Sequence, residues 1–404
     1  NIGKHFGLYD GALFSTRVRE LRWDDTLHRW RIGTDRGDDI RARFVVMAQG
    51  SYNRPKLPGI PGIEEFRNAG GHVFHSARWD DSAQLDGTRV GIVGCGSTGA
   101  QILTALTDRS KRIVHFQRSP QWVMPVPPFP YTDAEREAFR QNPALMDEIR
   151  YNQDYIDAIL RFTDGVTDIG GPQMAEIENL CRQHLEDSIK DPVLKEKLRP
   201  NYRAACKRLI YSWCYYEEVQ HPAVFVENGQ IERVEAKGVR MSDGTFHPLD
   251  TLVLATGFQA DRFIRPASVT GAGGRSLDDF WARRPTAHYA VTLPGFPNFF
   301  MLNGPTGPVG NFSLIDIAER QWGYIDHLLN LLRQGQARAV APSRAAFDDY
   351  EERRIAAAKR TIFGSGCTSW YLDDEGVPAT WPWSYQAFAD AMDHPRLEEY
   401  ELVA

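Results

Sequence analysis

Gly87-Thr88-Arg89-Val90-Gly91-Ile92-Val93-Gly94-Cys95-Gly96-Ser97-Thr98-Gly99-Ala100-Gln101-Ile102-Leu103 is the stretch from which the fold can be read. Val90 to Val93 is a short apolar, β-branched run, the signature of a strand buried in a parallel sheet. The motif G-x-G-x-x-G follows at once, and Ile102, Leu103 and Leu106 then take up helical spacing. Strand, glycine turn and helix in that order specify a dinucleotide-binding turn. Gly94 permits the tight turn, Gly96 lets a pyrophosphate approach the backbone, and Gly99 lets the helix pack closely on the strand. The helix start, with Ser97, Thr98 and Gln101, offers free N–H groups and a partial positive charge to phosphates. A second strand, Arg112 to Phe116, ends in Gln117-Arg118-Ser119. An NAD site usually carries Asp or Glu there to hold the ribose hydroxyls. Arg118 suits a 2′-phosphate instead, because its planar fork pairs bidentately with phosphate oxygens. The unit reads as an NADPH site.

Composition sets the outer bounds. A chain of 404 residues has room for two or three domains. With 42% hydrophobic and 25% charged residues it is an ordinary globular sequence rather than a disordered one. A formal charge of −6 and the lack of a basic block argue against nucleic-acid binding. No run approaches the roughly 18 apolar residues of a membrane span. Cys95, Cys181, Cys206, Cys214 and Cys367 are odd in number and lack C-x-x-C spacing. That pattern fits free thiols in a reducing cytoplasm better than a disulfide framework or a zinc site, and no metal site is expected.

Along the chain, Ala12 to Val18 reads as a strand, and Glu20–Asp25 with His28–Gly33 as a hairpin turning at Asp25-Thr26. Arg43 to Gly50 is a buried strand ending in Ala48-Gln49-Gly50, and Thr251 to Phe258 repeats that ending as Ala255-Thr256-Gly257. Two such strand ends, one on each side of the glycine motif, suggest two interleaved nucleotide-binding domains; strands simply followed by turns remain the alternative. Pro55 to Gly62 is an extended linker. Between Pro130 and Pro200 the texture turns helical. Thr132 with Glu135 forms a capping box. Phe139, Leu145, Met146, Ile149, Tyr155, Ile156, Ile159 and Leu160 follow, then a stripe of Met174, Ile177, Leu180, Cys181, Leu185 and Ile189, both read as core packing. Pro192 begins a last short helix.

Ahead of the glycine motif, Gly71-x-x-x-His75-x-x-x-Trp79-Asp80 resembles the fingerprint of the Baeyer–Villiger monooxygenases, with Ala69 where the family has Phe. A lone histidine is usually a packed core residue, but the surrounding matches weigh against that here. Trp79 favours this ketone-oxidising branch over the flavin-containing N- and S-monooxygenases, which carry Tyr or Phe there. The resemblance continues through Phe116-Gln117-Arg118-Ser119, the segment Tyr202 to Ile210, and Gly366 to Asp373; Trp381-Pro382-Trp383 is similar to the 4-hydroxyacetophenone monooxygenase subgroup.

What the resemblance implies is an α/β chain of two interleaved Rossmann-like domains, for FAD and NADPH, with a helical insertion. Residues 1–85 would be the remainder of the FAD domain and a linker, 86–130 and 200–258 the two parts of the NADPH domain, 131–199 the insertion, and 259–404 the return to the FAD domain. The family's first G-x-G-x-x-G is not in the sequence, so the N-terminal part of the FAD domain is expected to be missing. NADPH would rest on Gly94, Gly96, Ser97, Thr98, Gly99, Gln101, Arg118, Ser119 and Lys207, with Trp370 against its nicotinamide. Val18, Ala48, Gly50 and Asn311 would border the FAD. Arg208, which its apolar neighbours Leu209, Ile210 and Trp213 suggest is buried, would stabilise negative charge as an oxygen of O₂ is inserted beside a ketone carbonyl. His75 and Trp79 would couple cofactor binding to domain position. An N- or S-oxygenating monooxygenase and a catalytically silent NADPH-binding fragment are the alternatives.

Overall fold

The computed structural model of the chain describes residues 1–127, 131–308 and 313–404. A one-turn helix α1 (Ile2–His5) leads to β1 (Val18–Asp24), β2 (Arg29–Thr34), β3 (Asp39–Ala42) and β4 (Val45–Met47). After α2 (Ile63–Asn68) and β5 (His72–His75) comes the central unit, β6 (Arg89–Val93), α3 (Ser97–Leu106) and β7 (Arg112–Gln117). A two-residue β8 (Val123–Met124) precedes α4 (Asp133–Gln141), α5 (Ala144–Arg150), α6 (Gln153–Thr167), α7 (Pro172–Ser188) and α8 (Pro192–Leu198). Next are β9 (Ile210–Tyr211), α9 (Tyr215–Glu218), β10 (Val224–Asn228), β11 (Ile231–Glu235), β12 (Gly238–Met241), β13 (Phe246–Pro248) and β14 (Thr251–Leu254). The remainder holds β15 (Ser268–Thr270), α10 (Leu277–Phe280), β16 (Phe299–Met301), α11 (Leu314–Arg333), β17 (Ala339–Pro342), α12 (Arg344–Ala358), α13 (Tyr385–Asp393) and β18 (Tyr400–Val403).

The largest sheet is parallel throughout, in the order β10-β7-β6-β14-β5. Its strands read as continuous apolar runs because both faces are covered. On one side α3 contributes Ala100, Leu103 and Leu106, which pack with Val90, Ile92 and Ile113. On the other, Val114, Phe116, Leu252 and Leu254 pack with Phe66 of α2 and with Val234 and Val239 of the small β11-β12-β13 sheet. Each such buried side chain contributes about 1.5–3 kcal/mol. His72–His75, which the sequence reading left in the linker before residue 86, is the edge strand of this sheet, paired with Thr251–Leu254.

A second sheet, β15-β1-β2-β3, contains the expected hairpin. Asp24 Oδ1 accepts the N–H groups of Thr26 and Leu27, and His28 takes the left-handed conformation that closes the turn. Trp30 is fully buried and donates its indole N–H to the Pro297 carbonyl, which ties the hairpin to the chain's later part. The Ala12–Val18 strand does not form: strand geometry begins only at Val18, and Leu13 and Phe14 are exposed. Nor does Arg43–Gly50 form a full strand; three residues, Val45–Met47, pair with Phe299–Met301 of β16.

The helical segment is capped as its sequence requires. Thr132 Oγ1 accepts the Glu135 N–H while Glu135 returns a carboxylate oxygen to the Thr132 N–H. Asp191 accepts the N–H groups of Val193 and Leu194 ahead of Pro192. The core-packing expectation holds in part for α6, where Val166 is buried and Ile156, Ile159 and Leu160 are half-buried, and it holds for α7, where Met174, Ile177, Cys181 and Leu185 are buried. Leu180 of that stripe is exposed, and α4 and α5 bury no residue, leaving Met146 and Ile149 in solvent.

Two cysteines depart from the free-thiol expectation. Cys206 and Cys367 form a disulfide across 161 residues of sequence, whereas Cys95, Cys181 and Cys214 are free and buried. Spacing along the chain could not reveal a bond between segments that meet only in the fold. Among the described residues no helix is long and apolar enough to cross a membrane, and no group of side chains is arranged to hold a metal ion. Thiol titration of the unfolded, unreduced chain should count three thiols, and five after reduction; five without reductant would refute the Cys206–Cys367 bond.

Candidate functional site

The glycine turn is built by close approach. Gly94 has φ +112°, and a Cβ there would lie 2.3 Å from the Ala255 carbonyl at the end of β14. A Cβ on Gly99 would lie 1.9 Å from the Gly94 carbonyl, so the helix can pack on the turn only with glycine at that position. Gly96 differs: a Cβ there would meet only Gln121 Nε2, at 4.0 Å. The middle glycine therefore opens onto free space, and no side chain caps α3. Uncapped N–H groups beside an open glycine are what an anionic pyrophosphate requires.

The strand ends supply cations. Arg118, just past β7, is exposed and makes no ion pair with a described residue. Lys207 reaches the same place from the opposite side of the sequence. Its Nζ donates to Ser119 Oγ at 3.0 Å and lies 4.3 Å from the centre of the Tyr202 ring. Burial and then the neighbouring Arg118 lower the Lys207 pKa, with Cys95 acting in the opposite direction. Two cations held together in this way, without a carboxylate between them, gain from an added anion. Cys95 Sγ donates to the Ser119 carbonyl at 3.0 Å, and burial pushes its thiol up to about 11, so it acts as a tether and not as a nucleophile.

Arg208 is exposed, contrary to the buried position expected from its apolar neighbours; Trp213 is exposed as well. The apolar character belongs to Leu209 and Ile210, whose side chains turn inward. The Arg208 guanidinium faces the phenols of Tyr52, Tyr211 and Tyr371: burial raises all three pKa values, and Arg208 opposes the rise. Trp370 stacks on Tyr371 at 4.0 Å and meets Tyr52 edge-on at 6.1 Å. The Cys206–Cys367 bond joins the Lys207–Arg208 and Trp370 segments and lines a cavity of about 480 Å³ with Trp122 and Tyr202.

His75 is buried, with both ring nitrogens engaged by backbone: Nε2 with the Gly257 carbonyl at 3.0 Å and Nδ1 with the Ala77 N–H at 3.1 Å. The carbonyl requires a proton on Nε2, and the N–H requires a lone pair on Nδ1. No nitrogen remains for a substrate. Trp79 is exposed, packs edge-on against Phe74, and lines a cleft of about 510 Å³ with Thr98 and Gln101. Ala48 and Gly50 follow β4, and Asn303 follows its partner β16; Asn303 Oδ1 is buried there without a hydrogen-bond partner among the described residues. Val18 stands apart from these, opposite Thr34 at the start of β1. Asn311 lies outside the described residues.

Sequence reasoning missed Tyr52, Tyr202 and His115. Tyr52 and Tyr202 carry no spacing signal. His115 did carry one, a titratable residue in an otherwise apolar strand. It is fully buried, with Nε2 3.0 Å from the Gly94 carbonyl and the Tyr215 hydroxyl 3.4 Å from Nδ1.

Residues 14–132 match the family model described as pyridine nucleotide-disulphide oxidoreductase. An uncharacterised monooxygenase of Mycobacterium tuberculosis is 36% identical over 99% of this chain and 79% of its own length. A Baeyer-Villiger monooxygenase of Streptomyces coelicolor is 35% identical over 100% of this chain and 77% of its own. Among solved structures, cyclohexanone monooxygenase from Rhodococcus sp. Phi1 bound to NADP+ superposes with a TM-score of 0.84 at 27% identity, covering 100% of this chain and 83% of that one.

The buried histidines give the fold a pH dependence of definite sign. Burial pushes the His115 pKa down to about 4, and that of His75 is lowered for the same reason. The folded value lies below the unfolded one of about 6.5, so the unfolded chain takes up the proton first as the pH falls. The contribution of His115 is complete above about pH 6.5 and is lost toward about pH 4, by on the order of 3 kcal/mol. Melting temperatures at pH 7.5 and 5.0 should therefore separate less in His115→Phe than in the wild type; an equal separation would mean His115 is not held neutral.

Proposed function

The chain belongs to the Baeyer–Villiger monooxygenase family, and from that we propose that it uses NADPH, FAD and O₂ to insert one oxygen atom beside a ketone carbonyl, giving an ester or lactone. The observation that carries this reading is that Lys207 and Arg208, consecutive in sequence, have different neighbours. Lys207 joins Ser119 beside the glycine turn, while Arg208 opens toward solvent among Tyr52, Tyr371 and Trp370.

The residues present fit NADPH. The free space at Gly96 and the uncapped start of α3 suit the pyrophosphate, with Ser97 and Thr98 in the first turn and Gln101 one turn on. Arg118, Ser119 and Lys207 suit the 2′-phosphate, and exposed Trp370 offers a face to the nicotinamide. For FAD, the carboxyl ends of parallel strands β4 and β16 form the usual ligand-binding edge of an α/β sheet. Ala48, Gly50 and the unfilled acceptor of Asn303 fit a flavin there. The chain's G-x-G-x-x-G is taken by NADPH, and the described residues hold no second turn of that kind for the FAD pyrophosphate. When bound, NADPH supplies hydride and the flavin supplies the means of activating O₂.

The chain's own contribution is orientation and charge. Arg208 offers guanidinium N–H donors to the oxygen on which negative charge develops as the ketone is attacked; at this exposed position the effect, of order 3 kcal/mol per donor, is reached only when bound cofactor and substrate exclude water. His75, with both nitrogens engaged, acts as a positioning residue. Its bond to Gly257 couples the β5 end to the β14 end, where the two proposed cofactor sites approach each other.

Two experiments test these assignments. With FAD, NADPH and air, a ketone and a thioether offered together should give ester or lactone; Arg208→Ala should lower that product about 100-fold while NADPH oxidation persists. Sulfoxide as the sole product would favour the N- and S-oxygenating alternative. Replacing Arg118 and Lys207 together with Ala should raise the KM for NADPH at least tenfold and leave that for NADH within twofold. An unchanged preference would remove both residues from the 2′-phosphate site.

A further inference from the structure

The proposed nucleotide site contains a buried histidine that neither the glycine motif nor the cation pair explains. His115 sits in β7, directly beneath the turn, and its Nε2 is 3.0 Å from the Gly94 carbonyl oxygen. A carbonyl accepts, so the proton is on Nε2. Nδ1 is then an acceptor, and the hydroxyl of Tyr215 lies 3.4 Å from it. Tyr215 is itself buried at the start of α9, four residues after the Tyr211 that faces Arg208.

The peptide unit between Gly94 and Cys95 is planar, with its C=O and N–H pointing in opposite directions. Holding the carbonyl inward, toward His115, therefore turns the Cys95 N–H outward, to the side on which Gly96 opens. The same carbonyl is the atom a Cβ on Gly99 would strike at 1.9 Å, so it is wedged between the first turn of α3 and the imidazole. Glycine has the widest choice of backbone angles; the Gly94 N–H bond to the Phe116 carbonyl and the Nε2 bond to its carbonyl hold both sides of the residue in one of them.

We propose that His115, kept in one tautomer by Tyr215, is a positioning residue that fixes the Gly94–Cys95 peptide so that its N–H faces the dinucleotide pyrophosphate. This rests on the NADPH reading of the glycine turn. The histidine touches no ligand; it acts through the backbone. Because the turn is shared by ground state and transition state of hydride delivery, the effect falls on binding and not on the chemical step.

Calorimetric titration of the purified chain with NADP+ reads the effect without turnover. His115→Phe fills the same space without a donor and should weaken NADP+ binding about tenfold, the worth of one preorganising hydrogen bond. With FAD added, the KM for NADPH should rise in parallel while kcat at saturation stays within twofold. His115→Gln, which keeps an N–H donor, should recover most of the affinity, and Tyr215→Phe should lose about threefold. Should His115→Phe not fold, the Gln and Tyr215→Phe pair carries the test. Wild-type affinity in both His115→Phe and Tyr215→Phe, or failure of Gln to bind better than Phe at equal melting temperature, would overturn the proposal. No NADP+ binding by the wild-type chain would overturn the underlying NADPH reading and the proposal with it.

Discussion

The ladder that seats Thr251–Leu254 between Val90–Val93 and His72–His75 is the constraint on which the site depends. Parallel pairing fixes register on both sides at once, and a one-residue slip would reverse every buried side chain. With that register set, the end of β14 arrives beside the glycine turn: the Ala255 N–H bonds the Val93 carbonyl, and the Ala255 carbonyl occupies the space a side chain at Gly94 would need. Two residues later, the Gly257 carbonyl reaches His75. A strand more than 150 residues from the glycine motif thus shapes that motif and locks the fingerprint histidine at once.

From that strand end an aromatic path leads away. Phe258 lies 5.8 Å from the His75 ring and 5.6 Å from Tyr52, whose edge contact with Trp370 completes a path from the sheet to the C-terminal segment. Offset and edge-on rings at these separations attract by about 0.5–1.5 kcal/mol per pair beyond their burial. The disulfide between Cys206 and Cys367 ties the far end of that path to Arg208. The candidate arginine is therefore held by covalent and aromatic connections at its back while its charged end remains in solvent.

Local chemistry was legible in the sequence; long-range placement was not. The glycine turn, the capping box at Thr132, the proline start of α8 and the hairpin all follow from neighbours within a few residues, so spacing alone reports them. Residues 12–18 show the limit. Ala12-Leu13-Phe14 and Val18 are apolar enough to suggest a strand, but among the described residues no partner strand lies beside them, and a strand exists only in pairing. Arg208 was read as buried because its neighbours are apolar, yet in the irregular segment leading into β9 each residue turns its own way: Leu209 and Ile210 go inward and Arg208 outward. The Cys206–Cys367 bond and the contact of His115 with Gly94 depend on segments that meet only after folding. The stripe along α4 and α5 has helical spacing without a facing surface to bury it.

The pairing of β8 with β9 has a consequence for how this chain can vary. Val123 and Met124 run parallel to Ile210 and Tyr211, so the intervening helices leave and re-enter the body at adjacent points. The Ile210 N–H bonds the Trp122 carbonyl just outside the pair, which tightens the neck further. A loop whose ends are already pinned changes its closure entropy only with the logarithm of its length, about 0.6 kcal/mol for each doubling. That freedom belongs to α4 and α5, which bury no residue; α7 and α8 set Leu185, Ile189 and Leu198 into the core of the sheet and must keep their places.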